Sequence, residues 1–230
     1  MVLQNLPQII TAIGGLGTAA FGLLEAAKPA NPWINHIGFS GIRETVVSLT
    51  PSEPSAQQPL NALPQRNILE SLLANWVNGT DLASQKAIAK SLIKLHLSAG
   101  NAAALAERTN VDAEILQQVA ANIVSGTSLT QQQSDAYARF DLIVTALLDE
   151  TYQHADQVYR NWTRALAAGV AVALALVGGW SLVGTTVFFW HRELVEAFLI
   201  GLLATPLAPI AKDLSTALTT AVNTLQLVKK

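Results

Sequence analysis

Glu150 and His154 stand four residues apart, which places them on one face of a helix, with Asp149 and Asp156 close by. A carboxylate and an imidazole at that spacing can ligate a metal, but a closed site needs a third and a fourth ligand. None stands at a recognisable spacing, and a solvated helix surface carries the same residues, so no metal or cofactor is expected. The other histidines, His36, His96 and His191, are scattered. The chain has no cysteine, which excludes disulfides, thiolate metal sites and cysteine nucleophiles. No nucleophile elbow, phosphate loop or HExxH is present. The expectation is a protein that is not an enzyme.

Two further stretches carry possible chemistry. Ala104 to Val119 has the spacing of a helix-turn-helix. A DNA reader needs Lys or Arg for phosphates and polar side chains for bases. The would-be recognition helix, Asp112 to Ile123, has Asp112 and Glu114 and no basic residue, so a packing unit is expected and nucleic acid is not a partner. Glu196 lies in an apolar segment, where a charge is expensive and usually functional. It also lies near a turn, where an interfacial position tolerates it. Asn78-Gly-Thr and Asn161-Trp-Thr match the glycosylation pattern, but fall in a region assigned below to the cytoplasm.

The elements that hold these residues are unusually apolar. Half of the 230 residues are hydrophobic and 13% are charged, against about 25% charged in an ordinary soluble domain. Ala165 to Trp190 is a run of 26 residues without a charge. As a helix it extends about 39 Å, more than a ~30 Å hydrocarbon core requires. Tyr159 and Trp162 precede it and Phe188, Phe189 and Trp190 close it, as in an interfacial aromatic belt. Leu194 to Ala211 is a second apolar run, in which Pro206 and Pro209 are expected to kink or break the helix. Pro7 to Ala27 is a third, with Gly14, Thr18 and Gly22 every four residues. No basic residue precedes it, so a span is expected rather than a signal peptide. With three spans, 13 of the 14 Lys and Arg fall on one side, Arg192 being the exception. The positive-inside rule then places the central region and the C-terminus in the cytoplasm.

Between the first two spans, Asn31 to Ser48 carries Trp33, Ile34, Ile37 and Phe39 and is expected to lie along the membrane surface. Thr50 to Pro64 has four prolines and the composition of a spacer. Short helices follow: Asn67 to Val77 stopped by Gly79, one capped by Asp81 through Leu97, Ala102 to Arg108 capped by Asn101, and one capped by Asp112 and closed by Gly126. In the second of these, Ile88, Leu92 and Leu95 are expected inward, and Lys86, Lys90 and Lys94 on an exposed row. Thr130 caps a long helix that runs unbroken into the main span. Tyr137, Phe140, Val144, Leu147, Thr151, Ala155, Val158 and Trp162 form its seam. Asp213 to Leu227 reads as an amphipathic tail.

The C-terminal half resembles a group of uncharacterised bacterial multi-pass membrane proteins. The pieces are Asp156-Gln-Val-Tyr-Arg-Asn-Trp-Thr-Arg164 and Ala208-Pro-Ile-Ala-Lys-Asp-Leu214, of which Ala208, Pro209, Asp213 and Leu214 carry the final motif. The likeness covers roughly Leu147 to Ala217 and departs between Pro209 and Asp213, where the group has aromatic residues. The resemblance implies a bacterial inner or internal membrane, and for some members a place beside large assemblies such as phage-tail-like injection machines. The expected architecture is all-α. It comprises a span in 1–28, an interfacial segment and linker in 29–64, a cytoplasmic domain and stalk in 65–164, a hairpin in 165–211 and a tail in 212–230. The expected function is a membrane anchor or scaffold holding a larger complex, with a channel or transporter subunit and a membrane-tied regulator as alternatives. The face of Gly14, Thr18 and Gly22 can dock on the protein's own hairpin, where Gly178 and Gly179 offer another small surface, or on a neighbouring copy, and the stalk seam can cover the short helices or meet another chain; with two surfaces available, self-association is expected.

Overall fold

The computed structural model describes residues 6–50, 64–183 and 192–209. They are helical nearly throughout, with no strand among the described residues. The order is α1 (Leu6–Ala27), a 3₁₀ turn (Lys28–Ala30), α2 (Pro32–Asn35), α3 (Phe39–Leu49), α4 (Gln65–Val77), α5 (Leu82–His96), α6 (Ala102–Thr109), α7 (Ala113–Ser125) and α8 (Gln131–Val183). A last helix, α9, covers residues 192–209. The spacer at 51–63, Phe188 to Trp190, Asp213, Leu214 and the amphipathic tail lie outside the described residues. Two compact units divide the chain: Asn35–Tyr159, and Met1–Ile34 together with Arg160–Lys230.

The helix ends of the first unit follow local chemistry. Asp81 accepts from Ser84 N–H at 2.9 Å and Asp112 from Ile115 N–H at 3.0 Å, each satisfying an orphan donor of a first turn. Thr130 Oγ1 accepts from Gln133 N–H at 3.3 Å while Gln133 Oε1 accepts from Thr130 N–H at 3.0 Å, a reciprocal capping box at the start of α8. Gly79 and Gly126 end α4 and α7 at positive φ. Asn101 stands at the N-cap of α6 but makes no side-chain capping bond there. Its side chain closes the turn from α5 instead, accepting from Ser98 N–H at 2.9 Å and donating to His96 O at 2.6 Å.

The core of this unit corrects three expectations. The segment expected along a membrane surface contributes α3, whose Phe39, Ile42, Val46 and Leu49 are buried at i, i+3, i+7 and i+10. On α5 the buried row is Gln85, Ala89, Ile93 and His96; Ile88 and Leu92 pack on the core from its edge as expected, while Leu95 is exposed. The seam of α8 runs through Phe140, Val144, Leu148, Tyr152 and Ala155, so Leu148 and Tyr152 belong to it and Trp162 is exposed. A straight helix drifts about 20° per heptad, and its contact line therefore advances by fours here. These side chains pack on α3 to α7, within the same chain. Each fully buried side chain of this size stabilises the fold by ~1.5–3 kcal/mol.

The second unit is built on small residues. Ala20, Ala171 and Ala204 form its buried centre, flanked by Ile13, Leu16, Val170 and Leu174. A Cβ on Gly17 would collide with Ala204 O, and one on Gly201 with the Val172 backbone, so both glycines permit close backbone approach. Large apolar side chains such as Leu23, Val177, Val195, Leu199 and Leu203 are exposed. Two helices, α1 over Ile9–Ala27 and α8 over Gln131–Ser181, hold stretches long and apolar enough to cross a membrane. Pro206 lies within α9, which continues through residue 209.

Candidate functional site

The lysine row expected to be free in solvent is the most organised polar feature of the first unit. Lys86 pairs with Asp149. Lys90 reaches Asp141 Oδ2 at 3.1 Å and Thr145 Oγ1 at 3.3 Å, and Lys94 reaches Asp141 Oδ1 at 2.8 Å. Lys94 also lies 4.9 Å from the centroid of the Tyr137 ring. The rungs join α5 to α8 in antiparallel order. The Lys94 ammonium holds the Asp141 carboxyl below the usual carboxylate range, opposed by partial burial. The same hydrogen bond holds Lys94 above the usual lysine range. Each of the three lysines has a carboxylate partner, Asp141 being shared by two, so the ladder clamps the two helices.

A groove of about 980 Å³ lies between α3 and α4. Phe39, Leu69 and Leu73 supply its apolar lining, and Arg43, Glu44, Arg66 and Glu70 its charges. Arg66 Nε donates to Glu70 Oε1 at 2.7 Å. An apolar trough edged by both signs of charge has the chemistry of a helix- or peptide-docking surface. Under it, Gly38 enters α3 at φ 87°, and a Cβ there would meet Ala155 O at 2.5 Å. Thr45 and Thr151 hydroxyls lie 2.9 Å apart and tie α3 to α8. Burial pushes the Tyr152 hydroxyl up to about 12, and it has no hydrogen-bond partner among the described residues.

The residues singled out from sequence are dispersed. Glu150 and His154 are exposed, Asp149 is taken by Lys86, and no group of three His, Asp or Glu gathers as for a metal among the described residues. The helix-turn-helix spacing is α6, a turn with Asn110 at φ 49°, and α7. The exposed positions of α7 include Ala113, Glu114, Gln117 and Ala121, which offer nothing to phosphate. On α1, Gly14 is buried, Thr18 is exposed with its hydroxyl donating to Gly14 O at 3.0 Å, and Gly22 is exposed with no atom within 4 Å of a would-be Cβ. Gly17, not singled out from sequence, makes the close approach to α9. Gly178 and Gly179 are half-buried, Ala208 is buried and Pro209 exposed. Glu196 is exposed and accepts from Arg192 Nε at 2.8 Å.

No protein-family model matches the chain, and no curated protein or solved structure is significantly similar to it. The geometry alone therefore ranks the surfaces. The groove between α3 and α4 combines an apolar lining with charges of both signs at its edge.

Proposed function

We propose that the chain is an integral membrane protein that anchors or scaffolds a larger complex through the helical unit at Asn35–Tyr159. One observation carries the reading. α8 is a single helix of 53 residues, whose Phe140 to Ala155 sit in a core closed by ion pairs and caps, and whose Ala167 and Ala171 sit in a small-residue bundle. The centre of the bundle is alanine, and Val195, Phe198, Leu199, Leu202 and Leu203 of α9 face outward, which suits lipid, where close packing rather than apolar burial joins helices. Exposed Trp162 and Trp180 stand about 27 Å apart along α8, near the thickness of a hydrocarbon core. In this reading α1, α8 and α9 are the three spans. The bias of Lys and Arg puts the Asn35–Tyr159 unit in the cytoplasm of a bacterial cell, and the resemblance suggests a tail-like injection machine as the complex. Self-association fits best on the exposed Thr18 and Gly22 side of α1, since the α8 seam is spent within the chain.

Cysteine substitutions at Ser134 and His191, labelled with an impermeant reagent on intact cells, test the topology. Label at 191 and none at 134 is expected, and the reverse pattern would sink the orientation. Purification in gentle detergent followed by mass spectrometry tests the anchoring. A defined partner lost on Leu69→Glu in the groove is expected, and a bare monomer argues against a scaffold.

A further inference from the structure

A second groove, of about 550 Å³, lies in the unit formed by α1, α9 and the C-terminal part of α8. Ile13 and Leu16 of α1 and Leu174 and Gly178 of α8 make its walls apolar, and Glu193 and Glu196 of α9 end it. The two glutamates are three residues apart and share a helix face. Glu196 is paired with Arg192. Glu193 is half-buried, and its Oε2 is shielded from solvent and accepts no hydrogen bond among the described residues. A shielded carboxylate oxygen without a donor is costly and calls for a partner. Among the described residues, two glutamates against one arginine leave one negative charge to be matched at that end. At Gly178 a Cβ would find no atom within 4 Å, so the width of the trough there is open space rather than packed backbone.

From this charge complementarity we infer that the groove binds a phospholipid whose headgroup carries a primary amine, the acyl chain lying in the trough and the ammonium donating to Glu193 and Glu196. An ammonium has three donors, enough for an oxygen of each carboxylate, and its charge matches the unpaired one. A quaternary ammonium brings the charge without a donor, and a glycerol headgroup brings donors without the charge. The inference rests on the membrane reading above.

The test uses the full chain in mild detergent, with phosphatidylethanolamine, phosphatidylcholine and phosphatidylglycerol of matched acyl chains added in turn. Native mass spectrometry counts retained lipid, and the thermal midpoint reports stabilisation. The expected result is about a tenfold preference for the primary amine, the worth of one charge-assisted hydrogen bond. Glu193→Gln removes that preference. Gly178→Leu fills the trough, lowers retention of all three lipids and leaves the lipid-free midpoint unchanged or higher, because leucine is the better helix former. Equal retention of the three lipids by the wild type, or an intact preference in Glu193→Gln, overturns the proposal. If the chain stays in the membrane fraction after alkaline washing, that failure leaves the anchor reading standing. Its appearance in the soluble fraction overturns both.

Discussion

Replacing three glycines by alanine, one at a time, separates the physical reasons for a glycine. Gly38 combines a left-handed backbone (φ 87°) with a would-be Cβ 2.5 Å from Ala155 O and 3.2 Å from Trp76 Cζ2. A left-handed alanine costs ~1 kcal/mol, and forcing an extra atom into packed backbone adds ~1–3 kcal/mol. Gly79 has the same backbone requirement (φ 68°) with nothing within 4 Å, so only the first cost applies. Gly41 is helical within α3, with open space where its Cβ would stand, and alanine there stabilises by ~0.5 kcal/mol. The expected loss is therefore about 3 kcal/mol for Gly38→Ala and about 1 for Gly79→Ala, with a small gain for Gly41→Ala. Hydrogen exchange on the full chain reads this locally. Amides of α3 and of α8 around Ala155 should open more than a hundredfold more often in Gly38→Ala. Exchange no faster than in Gly79→Ala would refute the claim that α3 enters its core against the Ala155 carbonyl.

Tyr152→Phe removes a buried hydroxyl without a described partner, so it should be neutral or stabilising by up to ~1 kcal/mol, measured by thermal unfolding; a loss of that size would mean the hydroxyl is bonded. Ultraviolet titration should show one of the three tyrosines ionising near 12, absent from Tyr152→Phe. Because that value is raised, its contribution is whole below the ordinary tyrosine range near 10 and fades as pH rises toward 12. Asp141→Asn unpairs Lys90 and Lys94 and should cost about 1 kcal/mol, the pairs being partly exposed. The Asp141 carboxyl is lowered, so its contribution is present above about pH 4 and lost as pH falls through the depressed value, and the acid limb of stability should flatten in the variant. Gly17→Leu should disrupt packing of α1 on α9, whereas Gly22→Leu should leave the fold intact; if light scattering shows unchanged mass for Gly22→Leu, that face is not an oligomer contact.

The parts legible in sequence are those decided within a few residues. Asp81, Asp112, Thr130 with Gln133, and the stops at Gly79 and Gly126 are local chemistry, and the unbroken α8 follows from the lack of Pro and Gly between Thr130 and Ala168. What α5 faces is decided elsewhere. Nothing near Lys86, Lys90 and Lys94 announces that Asp141 and Asp149, about fifty residues later, are presented at matching height. A lysine row that looks solvated is thus half-buried, and Gln85 and His96 fill the inner row beside Ala89 and Ile93. The α3 pattern is readable at Phe39, Ile42, Val46 and Leu49, but with Trp33, Ile34 and Ile37 just before it the apolar run suits an interface as well as a core.

Helix α1 illustrates a different limit. Positions four apart turn by about 40° at each step around a helix of 3.6 residues per turn, whereas steps of three turn about 60° the other way. Gly14, Thr18 and Gly22 therefore wind toward one flank, and Gly14, Gly17 and Ala20 toward the other. In sequence both lines are rich in small residues, and the hydroxyl of Thr18, which donates to Gly14 O of its own helix, does not show which side meets α9. The choice is made by the partner, because Gly17 fits against Ala204 and Ala208 with no room for a Cβ, while Gly22 faces open space. In a soluble core the larger side chains would have betrayed the inner face. Here size does not mark it, because Leu24 is buried and Ile13 and Leu16 pack on the alanine centre while Ile9 and Leu23 are exposed, and the tight backbone approaches at Gly17 and Gly201 identify the inside.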